Sequence, residues 1–128
     1  MIIKNISIIS SYNEKKINKK YKNIIIKHIE ANSDETISTS IKKSEKHSDL
    51  IIIIPGKLKS YNKTTAIIKK INTPIVYCSI DNNDLHDKKN KIIKNLKYVI
   101  HGFKNNTYKI IINSALKIIN YHGEKNNN

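Results

Sequence analysis

Arginine is missing from this sequence altogether, although 24 lysines are present. That absence weighs against base-specific nucleic-acid recognition, because bidentate contacts to guanine favour the planar guanidinium fork. Lysine still neutralises phosphates, so non-specific RNA contact stays open. Tryptophan is absent too, and there is one phenylalanine. Cys78 is the only cysteine. An intrachain disulfide is therefore impossible, which fits a reducing cytosol. No stretch approaches the roughly 18 apolar residues of a membrane span. Met1 to Ile9 has too little basic lead and too short an apolar run for a signal peptide. The expectation is a cytoplasmic protein with no membrane partner.

What fills the chain instead is 29 isoleucines, 24 lysines and 18 asparagines. All three residues have A/T-rich codons, so an AT-rich genome is the simplest cause. A formal net charge of +14 would ordinarily point to a polyanionic partner. Part of it is compositional background if mutational bias has converted surface positions to lysine. The sequons at Asn5, Asn62 and Asn105 read as chance matches in an asparagine-rich chain.

The chain is organised around Asp49-Leu50-Ile51-Ile52-Ile53-Ile54-Pro55-Gly56. Five aliphatic residues bounded by turn formers read as a strand buried on both faces, as at the centre of a parallel sheet. The first strand is Ile2 to Ser10, rich in β-branched residues. Tyr12 to Lys20 is a polar segment, a short helix or loop. Asn23 to Ile29 is the second strand. Ser33 then caps a helix with Asp34 and Glu35 in its first turn, where the dipole favours acids. Ile37 and Ile41 face the core, and that helix ends near Lys46-His47-Ser48. A second helix runs from about Lys63 to Ile71, with Ile67, Ile68 and Ile71 as its stripe and Thr73-Pro74 as its stop. Ile75 to Ile80 is the fourth strand. A helix carrying Leu85, Ile92, Ile93 and Leu96 follows, then a short fifth strand, Tyr98 to His101. The last helix spans about Asn106 to Tyr121.

Strand and helix alternate, which predicts parallel βαβ units with right-handed crossovers. The predicted fold is α/β: a single flavodoxin-like three-layer domain with a five-stranded parallel sheet in the order 2-1-3-4-5 and helices on both faces. Residues 1–123 form that domain and 124–128 a polar, disordered tail.

Ligands of open α/β sheets bind beyond the carboxyl ends of the strands, at the switch between strands one and three. That rule gathers Ser10, Ser11, Gly56, Lys57, Lys63, Thr64 and Ser79 as candidate ligands for a phosphate. Ser10 and Ser11 offer hydroxyls, Gly56 allows close backbone approach, and Lys57 and Lys63 offer charge. Thr64 sits at a helix N-terminus, where free amides suit an anion. The plainer readings are a simple turn at Gly56 and a solvated helix start at Lys63-Thr64-Thr65. Neither phosphate-loop nor dinucleotide glycine fingerprint is present.

Cys78 reads first as a small buried residue. With His101 on a neighbouring strand, it could form a reactive thiolate pair. No third group orients the histidine, so no catalytic residue is assigned. Asp81-Asn82-Asn83-Asp84, with His86 and Asp87, fails the calcium-loop spacing and reads as a helix cap, so no metal is expected. No cofactor is named by any motif.

Three stretches resemble known families. Ile29-Glu30 to Pro55-Gly56-Lys57-Leu58 is similar to the small cobalt and nickel chelatases of tetrapyrrole synthesis. Ser10-Ser11 and the Lys57 to Lys63 region stand where that family has metal-binding histidines. Thr73-Pro74-Ile75-Val76 to Asp81-Asn82-Asn83, with Tyr98-Val99-Ile100-His101-Gly102, resembles the C-terminal half of a small-subunit ribosomal protein family, without its Arg-Trp-Gly-Gly segment. Receiver domains of response regulators share the topology, but Ser10-Ser11 and Pro55-Gly56 occupy the places of their acidic pocket and phosphoacceptor. The leading expectation is binding of a phosphate-bearing small molecule or nucleotide at the C-terminal edge of the sheet. The alternatives are a basic RNA- or ribosome-associated accessory protein without catalysis, and a non-catalytic scaffold.

Overall fold

The computed structural model describes residues 4–11, 23–56, 58–79 and 98–101, together with Asn113 and Lys117. The expected segment Tyr12 to Lys20, the helix around Leu85 to Leu96 and the polar tail lie outside the described residues. So does the last helix apart from Asn113 and Lys117, both of which are helical.

Four strands form a parallel sheet: β1 (Lys4–Ser10), β2 (Ile24–Glu30), β3 (Leu50–Ile54) and β4 (Ile75–Ser79). Their order is β2-β1-β3-β4. Two helices connect them, α1 (Asp34–Glu45) between β2 and β3, and α2 (Asn62–Lys70) between β3 and β4. One further short strand, β5, covers Tyr98–His101. The α/β class and the parallel sheet expected from the alternation are thus observed.

The five-residue aliphatic run becomes β3, and every residue of it is buried. Its alternate side chains serve two faces, as the period of a strand requires. Ile51 and Ile53 join Ile9, Ile75 and Tyr77 in one core cluster with Ile37 and Ile41 of α1 and Ile68 of α2. Ile67 and Ile71 pack on that cluster, half-buried. The other positions, Ile6, Ile8, Leu50, Ile52, Ile54, Val76 and Cys78, are buried as well. The register fixes the strand ends: Ile6 lies opposite Leu50, and Ser10 opposite Ile54. At the amino end of the sheet, the Asn5 amide donates to Asp49 Oδ2 at 2.7 Å, and the Asp49 amide donates to the Asn5 carbonyl at 2.8 Å. Ser7 is buried in the same strand without cost because its Oγ lies 2.6 Å from Ser48 Oγ,.

α1 starts where the sequence places it. Ser33 Oγ accepts from the Thr36 amide, and Thr36 Oγ1 accepts from the Ser33 amide, a reciprocal capping box,. α2 begins and ends one residue earlier than the Lys63 to Ile71 expectation. Ile71 is already extended, since the chain must straighten ahead of Pro74. β2 is likewise displaced by one residue, entered through Asn23 at φ 63°, a left-handed conformation that asparagine tolerates.

Candidate functional site

The carboxyl ends of β1, β2 and β3 bring Ser11, the loop after β2 and Pro55-Gly56 to one edge. Ser11 turns back on the sheet: its amide donates to the Ile54 carbonyl at 3.0 Å, and its hydroxyl donates to the same carbonyl at 3.3 Å. Ser10 is buried beside it, and its carbonyl accepts from the Ala31 amide at 2.9 Å. Pro55 and Gly56 leave β3 buried. Gly56 has φ 66°, a left-handed conformation that costs glycine little and other residues more. The turn there is therefore one the glycine makes possible.

The loop beyond it is pinned from inside. Tyr61 is almost wholly buried, and its Oη accepts from the Leu58 amide at 2.9 Å. This fixes residues 58–61 as a short bridge into α2. An open cleft of about 620 Å³ lies between this bridge and the loop after β2. Its walls carry Ser33, Asp34 and Glu35 on one side and Lys59, Ser60 and Lys63 on the other.

Asp34 joins the two walls. Its Oδ2 accepts from the Lys63 amide at 2.8 Å, and its Oδ1 accepts from the Thr64 amide at 2.8 Å. Thr64 Oγ1 donates to the Asp34 carbonyl at 3.2 Å, and Ser60 Oγ reaches Oδ2 at 3.4 Å. Tyr61, at the N-cap of α2, makes no side-chain cap of its own, so a carboxylate from another helix supplies the acceptors those first-turn amides need. Asp34 is also the first residue of α1, and so it lies at two positive helix ends. Burial alone would raise its carboxyl. The Lys63 and Thr64 amides and the Thr64 and Ser60 hydroxyls outweigh that and hold it below its ordinary value,.

The candidate residues therefore fall into separate roles. Ser10, Ser11 and Gly56 stand at the neighbouring ends of β1 and β3. Lys63 places its ammonium at the cleft, exposed and 3.8 Å from Glu35 Oε1. Thr64 has no exposed surface, and its amide is already held by Asp34. The solvated helix start expected at Lys63-Thr64-Thr65 is thus found only at Lys63, because Thr64 and Thr65 turn inward. Lys57 lies outside the described residues. Ser79 ends β4, and His101 ends β5. Cys78 is fully buried.

The sequence pattern does not mark Asp34, Lys59, Ser60 or Tyr61 as site residues. Ser33-Asp34-Glu35 has the local pattern of a helix start, and nothing local ties Asp34 to amides some 30 residues onward. Only the neighbouring βα loops of a parallel sheet bring them together.

Among the described residues, Thr65 Oγ1 is buried without a hydrogen-bond partner. An unpaired buried hydroxyl costs its desolvation, so Thr65→Val, close in shape, is expected to stabilise the fold by about 1 kcal/mol. Denaturant unfolding of the two proteins measures it.

Among the described residues, no helix is long and apolar enough to cross a membrane. No protein-family model matches this chain, and no curated protein is significantly similar to it.

Proposed function

We propose that this domain binds a phosphate-bearing small molecule, of the nucleotide or sugar-phosphate class, at the C-terminal edge of its sheet. The observation that carries the reading is the cleft of about 620 Å³ between the loops after β2 and β3, with Lys59 and Lys63 on one wall. Its position follows the rule for open α/β sheets, and its volume falls in the range of small-ligand sites. Lys59 and Lys63 supply positive charge for a phosphate. Glu35 and the Ser33 and Ser60 hydroxyls offer partners for a polyol. Ser10, Ser11 and Gly56 form the adjoining rim at the ends of β1 and β3. Thr64 serves this site indirectly: with Asp34 it holds the Lys63 backbone in place. No covalent step is assigned.

We further propose the complete flavodoxin-like layering, with β5 as a fifth parallel strand and helices on both faces. The register of Val76 opposite Tyr98 and Ser79 opposite His101 supports the fifth strand. Burial of Ile8, Ile52 and Val76, on the face away from α1 and α2, supports a second covering layer. In that register Cys78 lies opposite Ile100. No role is assigned to Cys78 and His101 as a pair. A lone buried cysteine suits a reducing compartment, and the cytoplasm is the proposed location.

A thermal-shift series with nucleotides, sugar phosphates and flavin mononucleotide at low and moderate salt tests the binding. Ligand at about 100 times its Kd adds about 2.7 kcal/mol to the folded state. The expected result is a salt-tolerant rise in Tm with at least one compound, lost in Lys59→Glu. A rise with bulk RNA alone, vanishing at moderate salt, would replace this reading with that of a basic accessory protein. No rise with any compound would leave the scaffold role as the better account.

A further inference from the structure

Beyond the cleft, the outer seam between α1 and α2 forms a second concave surface of about 270 Å³. Its floor is Ile67, and Lys42, Lys63 and Lys70 line it with Ser38 and Thr39. All three lysines are exposed. Lys63 and Lys70 stand two turns apart on α2, which sets them about 10 Å apart along the helix axis. Lys42 belongs to the opposite wall. None of the lining residues is acidic or aromatic. The Lys63 ammonium is paired with the Glu35 carboxylate at 3.8 Å, between two exposed side chains. Such a pair is worth little and yields readily to a stronger anion.

We propose that this seam is a docking surface for the backbone of double-stranded RNA. Lys63 and Lys70, about 10 Å apart along α2, and Lys42 on the facing helix offer three cations to the phosphates of a duplex strand,. A single strand would call for aromatic platforms on which bases stack, and the seam has none. A duplex turns its phosphates outward and its bases inward, so lysines and hydroxyls suffice. Thr39 is exposed beside the lysines, and Ser38 Oγ, which donates to the Glu35 carbonyl at 2.9 Å, still has acceptor capacity. Hydroxyls at that position suit the 2′-hydroxyl, which both donates and accepts and marks RNA against DNA. Contact of this kind carries no base readout, in keeping with a chain without arginine,.

The alternative is diffuse attraction by a chain of net charge +14, and the salt dependence of affinity separates the two. Fluorescence anisotropy of the full chain with a labelled 16-base-pair RNA duplex, over a range of salt, gives the slope of log K against log salt. Each phosphate contact contributes about −0.9 to that slope. Lys42→Gln and Lys70→Gln are each expected to make the slope shallower by about 1, with Tm unchanged because both side chains are exposed. Glu35→Gln is expected to tighten binding. Lys43→Gln and Lys69→Gln, exposed lysines on the same helices but outside the seam, are expected to leave the slope as it was. Equal effects at Lys43 and Lys69, absence of duplex binding, or equal affinity for a DNA duplex of the same sequence would each overturn the proposal. Lys42, Lys43, Lys69 and Lys70 do not line the cleft, so failure at those positions stays distinct from failure of the small-molecule reading.

Discussion

Ile53→Ala is expected to remove about 4 kcal/mol of folding free energy, within the 2–5 kcal/mol of buried isoleucine truncations. Ile53 lies between Ile9 on β1 and Tyr77 on β4 in the sheet register. It belongs to the cluster that includes Ile37, Ile41 and Ile68 of the two helices. Truncation there loses contacts with strands and helices together. Close-packed side chains held by two layers cannot collapse into the gap, so the cavity term stays near its maximum. Domains of this size have about 5–15 kcal/mol in all, so the variant should sit close to the unfolding threshold. Ile25, 55% exposed on edge strand β2, is the internal control. Its truncation should change stability by less than about 0.5 kcal/mol. Urea denaturation with a shared m-value measures both, and equal effects would contradict the assignment of the core.

Asp34→Ala is expected to cost about 2 kcal/mol, the upper end of N-cap truncations. One substitution strips acceptors from the Lys63 and Thr64 amides and removes a charge lying at two helix N-termini. The loss should lower Tm by roughly 6–10 °C for a domain of this length. Its pH dependence has a definite sign. The folded carboxyl is held below its ordinary value, so its contribution is fully present above the unfolded pKa. It is lost as pH falls through the folded pKa. The difference in stability between wild type and Asp34→Asn should therefore shrink as solutions are acidified. A difference that grew in acid would contradict the geometry at Asp34. Because Asp34 fixes both cleft walls, ligand binding should weaken in Asp34→Ala as well.

Much of this fold is legible in the sequence because isoleucine marks it so densely. The run Leu50 to Ile54, closed by Pro55-Gly56, admits little except a buried strand, and β3 is that strand. Ser33 with its acidic first turn reads as a helix start, and it is one. The boundaries of α2 are less legible. Asn62 reads locally as a cap before Lys63, but the N-cap is Tyr61, and the acceptors are supplied by Asp34 from another helix. The same long-range contact hides the organisation of the candidate site. Strand order alone brings Ser10, Ser11 and Gly56 to neighbouring strand ends. Thr64, by contrast, reads locally as an exposed hydroxyl at a free helix N-terminus, whereas it is buried and its amide is bound to a carboxylate. Lysine is the least legible residue in this chain. With 24 copies, neither Lys59 at the cleft nor Lys42 and Lys70 along the seam stands out before the loops and helices are in place.

Amide chemical-shift mapping of the full chain titrated with a nucleoside monophosphate at moderate salt tests the proposed site most directly. The expected result is saturable shifts grouped at Ser11, at Ser33 to Glu35, at Gly56 and at Leu58 to Lys63, and absent in Lys59→Glu. Shifts spread over the exposed lysines of both helices, shifts confined to the opposite edge of the sheet near Asn5 and Asp49, or no saturable shifts at all would contradict it.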